Sequence, residues 1–270
     1  MNISLCNAIK DAASAPLSSS LKREFQLVDN SQCNFLPAGG IKNDLLATLS
    51  AEDLEFLMPH LEFVYIPFDK KLFEYGEKMT YVYFPTTAII GLLYSLADGN
   101  TTEIAVVGRE GLLGISAMLG ESALGTAMVQ SAGYAYKLKV STLKEACIRI
   151  RKLQQLLMRY IQTLFEQMAQ NSVSSRHYSV DQQLSRWLLN RLDRMPANVL
   201  KITQSTIASM LGFRRESITA AARRLQQKRL IQYRRGSITV LNRPGLETYA
   251  GECYLATKSS SDFLMLNGRS

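Results

Sequence analysis

The chain has 270 residues, 47% of them hydrophobic and 20% charged, with 31 Lys+Arg against 23 Asp+Glu and a formal net charge of +8. That length and balance support one or two domains with a buried core and exclude disorder throughout. The longest near-continuous apolar run, Ala88 to Ala97, is about half of what a membrane helix requires.

No basic segment followed by an apolar stretch opens the sequence, so no secretory signal is expected. Cys6, Cys33, Cys147 and Cys253 lie far apart and form no C-x-x-C pair. Reduced thiols in a cytoplasm are the expectation. Only His60 and His177 occur, and neither belongs to an H-x-H or H-E-x-x-H pattern. No metal site is expected, and both histidines read as polar loop surface.

Residues 1–40 lack a sustained apolar period and read as a flexible extension. Ser50 stands three residues before Asp53, ahead of Leu54, Leu57 and Met58, which predicts a short capped helix ended by Pro59. Strand compositions follow at 61–66, 81–84, 89–96, 101–107 and 132–138, with a further strand at Val129. Asp98-Gly99 and Gly108-Arg109-Glu110-Gly111 punctuate them as turns. Short strands and regular turns predict an antiparallel β-roll over 41–147.

The period then changes. Leu153, Leu157, Tyr160, Leu164 and Met168 recur at helical spacing, while Leu156, Ile161 and Phe165 mark a second apolar face. A long helix is predicted over 148–175, packing on the roll with one face and on a second copy with the other. The first set is assigned to the dimer seam.

Charge divides the chain unevenly. Residues 1–175 hold 15 basic and 17 acidic side chains, whereas 176–250 hold 14 basic and 4 acidic. Such a basic segment points to a phosphate-bearing partner. Within it, a helix from Asp181 turns Leu184, Trp187, Leu188 and Leu192 inward, and Val199–Ile202 makes a short strand. Thr203 is placed to cap a helix over Gln204–Leu211. Ala208 is small enough for a close helix crossing, Gly212 sits at a sharp turn, and Phe213 and Ile218 pin the next helix. This is helix-turn-helix spacing, with the second helix running from about Arg214 to Lys228.

On that helix Arg215, Glu216, Thr219 and Ala220 fall where base edges are met. Arg can donate to guanine O6 and N7, and Glu can accept from cytosine N4. Thr203, Arg214, Arg223 and Arg224 are assigned to the DNA backbone, with Arg223 the one able to turn inward. Two strands around Arg235-Gly236 read as a wing gripping phosphate through Arg234 and Arg235. A last helix is predicted from Pro244 to about Tyr254, followed by a polar tail, with 246–270 set apart as the C-terminal helix and tail.

Val82-Tyr83-Phe84-Pro85, Gly108-Arg109-Glu110-Gly111-Leu112-Leu113-Gly114 and Arg215-Glu216-Ser217-Ile218 together resemble the Crp/Fnr family of bacterial transcription regulators. The resemblance covers about 45–245. It implies an α+β fold: a cyclic-nucleotide-binding-like antiparallel β-roll, a dimerisation helix and a winged helix-turn-helix over 176–245. It also implies base reading by Arg215 and Glu216. Members that bind the cAMP-type operator carry an Arg four residues after that Glu, and here Ala220 stands there.

The sensory side departs further. Cyclic-nucleotide-binding members hold the ribose with a Gly-Glu pair and the phosphate with an Arg followed by Ser or Thr. This chain has Gly114-Ile115 and Gly125-Thr126 at those places. Ile cannot accept a hydroxyl, and without Arg the phosphate loses a charge-assisted partner. Neither a cyclic nucleotide nor another cofactor is expected. Cys6 and Cys33 do not supply an iron–sulfur ligand set, and His60 is a weak haem ligand.

The expected protein is a cytoplasmic, non-enzymatic, sequence-specific regulator. It binds double-stranded DNA as a homodimer, has RNA polymerase as a further partner if it activates, and has no membrane partner. A small-molecule receptor with secondary DNA binding is the alternative. A metal-dependent enzyme on the roll would need a ligand cluster that the sequence does not show.

Overall fold

The structure, a computed structural model, describes residues 41–95, 97, 101–120, 122–195, 198–234 and 236–267. The expected extension over 1–40, Cys6, Cys33, the Asp98-Gly99 turn and the wing residue Arg235 lie outside the described residues. The described residues from Asn43 onward cluster as one compact unit.

Ser50 caps helix α1, Ala51–Leu57, by accepting from the Asp53 amide at 3.2 Å. Pro59 lies in the 3-10 turn Met58–His60 that follows. The roll contains β1 Glu62–Ile66, β2 Lys71–Phe73, β3 Tyr81–Pro85, β4 Ile89–Ser95, β5 Thr101–Val107, β6 Thr126–Ser131 and β7 Gly133–Lys139. They pair antiparallel in the orders β1-β7-β3 and β2-β6-β4-β5. Ile66, Phe73, Ile90, Val107, Leu113 and Val129 fill the core of the roll. Strand β2 carried no sequence signal because three residues are too few to show alternation.

Helix α2, Val140–Arg149, also went unpredicted. Ile150 leaves helical backbone (φ −106°, ψ 90°) and buries its side chain, so the long helix α3 runs over Arg151–His177 rather than 148–175. His177 therefore closes a helix instead of lying in a loop.

Helix α4, Val180–Leu192, begins at a capping box in which Ser179 and Gln182 satisfy each other's backbone amides. Next come β8 Val199–Lys201, α5 Gln204–Leu211, α6 Arg215–Gln227, β9 Ile231–Arg234 and β10 Ser237–Val240. The strands form an antiparallel β8-β10-β9 sheet. Leu184, Leu188, Ile207, Ile218, Leu225 and Ile231 share one core beneath these elements. The single C-terminal helix expected from Pro244 is two: α7 Arg243–Ala250 and α8 Glu252–Asn267, separated at Gly251. Helix α8 packs along α3, and α5 rests on β5 of the roll.

Candidate DNA-binding interface

The turn between α5 and α6 is built from backbone requirements. Thr203 caps α5, its side chain accepting from the Thr206 amide at 3.1 Å. Gly212 ends α5 in left-handed backbone at φ 70°, a conformation that costs other residues about 1–2 kcal/mol. The Phe213 amide then donates to the Ala208 carbonyl at 2.9 Å and redirects the chain. Ile218, Ala221, Ala222 and Leu225 bury one face of α6.

The opposite face is open. Arg215, Glu216, Thr219 and Ala220, the residues assigned to base edges, are all exposed on the first turns of α6. Among the described residues, neither the Arg215 guanidinium nor the Glu216 carboxylate has a partner. The Thr219 hydroxyl is held by its own chain, 2.7 Å from Gln204 Oε1 and 2.9 Å from the Arg215 carbonyl oxygen. Gln204 is thus brought beside the residues assigned to base reading, which sequence reasoning missed. Its only signal was its place one residue after the Thr203 cap.

The backbone-gripping set divides. Arg214 and Arg223 are exposed beside the reading face, and Arg234 is exposed at the end of β9. Gly236 has the positive φ, 76°, that a tight wing turn needs. Arg224 departs from the expectation. Its Nε and Nη2 bond the buried Asp181 carboxylate at 2.8 and 2.5 Å, so Arg224, half-exposed, is the one tied to its own chain, not Arg223. Arg186, Arg191 and Arg194 are buried, and Arg243 pairs with Asp193 and Glu247. Five of the fourteen basic residues counted in 176–250 are therefore buried or ion-paired within the chain.

The helix faces do not divide as expected: Leu156 of the second face is buried with the first set, and only Ile161 and Phe165 of that face stay accessible. Leu153, Leu157, Tyr160 and Leu164 are buried within their own chain, and Met168 is half-buried. Met158 and Phe165 are 56% and 66% exposed, with half-buried Ile161 between them. Both faces are apolar, so periodicity alone could not say which one meets the roll.

Gly114, Ile115 and Gly125 do line one cavity, of about 160 Å³, closed by Ile161, Leu164, Phe165 and Met168 of α3. Thr126 does not join them; it lines a separate cavity with Lys71 and Met210. A Cβ on Gly125 would lie 2.7 Å from the Leu93 carbonyl oxygen, so no arginine fits there without backbone movement. Arg109 is engaged by Asp44 at 3.0 Å. Among the described residues, no group of three or more His, Cys, Asp or Glu is placed to hold a metal. No described helix is long and apolar enough to cross a membrane.

The roll, the capped helix pair and the β8-β10-β9 sheet define a winged helix-turn-helix DNA-binding domain joined to a cyclic-nucleotide-binding-like fold. Residues 182–249 match the family model of the Crp-like helix-turn-helix domain. FixK2 of Bradyrhizobium japonicum is similar in structure, with a TM-score of 0.61 at 17% identity over 71% of this chain and 98% of that one. A transcriptional regulator assigned to the Crp/Fnr family in Eubacterium rectale gives 0.60 at 20% identity, over 76% and 97%. A CRP-family regulator of Thermus thermophilus gives 0.58 at 18% identity, over 70% and 97%. No curated protein matches. The chain has the fold of Crp/Fnr transcription regulators and carries a Crp-like helix-turn-helix domain, as the motifs implied.

Proposed function

We propose that this chain regulates transcription in the cytoplasm by binding an inverted-repeat DNA site as a homodimer, without cAMP. The observation that carries the reading is the exposed, unpartnered Arg215-Glu216 pair at the start of α6, presented by the Gly212 turn. Arg214, Arg223 and Arg234 surround it with charge for phosphate. The Met158, Ile161 and Phe165 stripe on α3 offers an apolar seam to a second copy, which would pair two recognition helices for two half-sites. Cyclic-nucleotide independence rests on the apolar cavity and on Ile115 and Gly125, which offer a phosphate no cation and a ribose no acceptor. The role is binding rather than catalysis, with RNA polymerase a further partner if the regulator activates.

Selection from a random DNA pool by the purified chain, with and without cAMP, tests this reading. Enrichment of an inverted repeat without ligand supports it. Enrichment only with cAMP would overturn the nucleotide-free reading, and no enrichment in either case would overturn the DNA reading of the free chain.

A further inference from the structure

Between the roll and the DNA-binding domain lies a second cavity, of about 280 Å³, walled by β5, α3, α4 and α5. Arg186 lines it at 6% exposure. Its Nη2 donates to Asn171 Oδ1 at 2.6 Å. The Asn171 amide group is turned the other way, donating to the Ile104 carbonyl at 2.7 Å, which fixes Oδ1 toward the arginine. Arg186 Nε and Nη1 meet no acceptor among the described residues, and neither does Nε1 of the neighbouring Trp187.

A buried charge of this kind is costly unless an opposite charge and hydrogen bonds accompany it. Glu103, the acid that lines the same cavity, is already committed. Its carboxylate takes Arg191 Nη2 at 2.5 Å and also Gln130. Arg194 is paired with Glu110 at 2.6 Å. One positive charge is left over in this buried cluster, and it belongs to Arg186. Away from the arginine the wall is mixed: Ile104, Val106, Met168, Met210 and Leu211 supply an apolar part, and Thr102, Gln167, Ser172, Ser175 and Asn190 a polar one.

We infer that this cavity binds a small monocarboxylate with an apolar body, its carboxylate on Arg186 and the Trp187 N–H, its body against Met168 and Met210. One spare positive charge matches a monoanion better than a phosphate dianion, and Ile104, Met168, Met210 and Leu211 offer an apolar body a surface that an inorganic anion cannot use. The volume suits a metabolite rather than a drug-sized molecule. The site adjoins the Gly114-Ile115-Gly125 cavity, sharing Ile104 and Met168 as wall, but contains none of its three named residues and none of the DNA-reading residues.

The test is calorimetric titration and thermal unfolding of the full chain, without DNA, using hexanoate, hexanamide and inorganic phosphate as probes. Hexanoate is expected to bind saturably, one per chain, and to raise the Tm. Hexanamide, with the same body and no charge, is expected to bind at least about tenfold more weakly. Arg186→Met is expected to lose hexanoate affinity by a similar factor, and Arg186→Lys to retain part of it. If Arg186→Met does not fold, the hexanoate and hexanamide comparison on the native chain still decides. Equal binding of the two probes, phosphate binding tighter than hexanoate, or no saturable binding at about 10 mM would each overturn the inference. Because DNA is absent, such a failure leaves the DNA-reading proposal standing, and the reverse also holds.

Discussion

Arg224 and Asp181 form a two-point ion pair that holds the recognition helix α6 against α4, with Nε and Nη2 on the two carboxylate oxygens at 2.8 and 2.5 Å. Asp181 is 5% exposed, so removing its partner strands a buried carboxylate. Arg224→Ala is therefore expected to lower unfolding stability by about 1–3 kcal/mol. Among the described residues, its neighbour Arg223 has no such tie. Arg223→Ala is expected to leave stability within about 0.5 kcal/mol and to reduce the salt slope of DNA binding by about one. Urea unfolding and salt-dependent anisotropy of both variants check the division. Equal behaviour of the two would contradict it.

Glu103 and Arg191 bind across the boundary between the roll and the DNA-binding domain, their side chains 7% and 3% exposed. The Arg191 guanidinium also lies 3.4 Å from the Trp187 ring centroid. Burial draws the Arg191 pKa down to about 10, against the pull of Glu103. Glu103→Ala leaves a buried guanidinium unpaired and is expected to cost about 3–5 kcal/mol. The double change Glu103→Leu with Arg191→Met removes both charges and is expected to recover most of that loss. A double-mutant cycle in urea measures it, and additive losses would count against the pair.

The dimer seam is expected on Met158, Ile161 and Phe165. Phe165→Asp, at a 66% exposed position, is expected to give a folded monomer. Leu157→Asp, at a 3% exposed position, is expected to unfold the chain. Sedimentation equilibrium with circular dichroism separates the two. A dimeric Phe165→Asp variant would place the seam elsewhere.

Cys147 is buried on α2, and burial pushes its thiol from the ordinary 9.0 up to about 11. Because the folded-state value is the higher one, the thiol contributes stability that is complete below pH 9.0 and is lost as the pH rises toward 11. Iodoacetamide at pH 9 should alkylate Cys147 roughly a hundredfold more slowly in the native chain than in urea. Comparable rates, read by mass spectrometry of the Cys147 peptide, would remove the burial argument.

The helix-turn-helix was legible because its requirements are local. Thr203, Ala208, Gly212 and Phe213 lie within one short stretch, and α5 spans Gln204–Leu211 as the spacing indicates. The fates of the arginines were not legible. Arg224 finds Asp181 at a separation of 43 residues and Arg191 finds Glu103 at 88, distances at which composition carries no pairing information. The orientation of α3 was hidden for a different reason. Two apolar faces of similar strength left the choice to the shape of the roll. Helix α2 was missed because its interior apolar positions, Leu143, Ala146 and Cys147, include only one large side chain.

The most direct test of DNA reading by α6 compares the native chain with Arg215→Ala on a selected inverted repeat and on its single-base variants, at fixed salt without cAMP. The variant is expected to bind about 1–3 kcal/mol more weakly and to lose discrimination at one base of each half-site while keeping it elsewhere. Unchanged affinity with an unchanged sequence preference would contradict the assignment of Arg215 to a base edge and, with it, the placement of the reading face on α6.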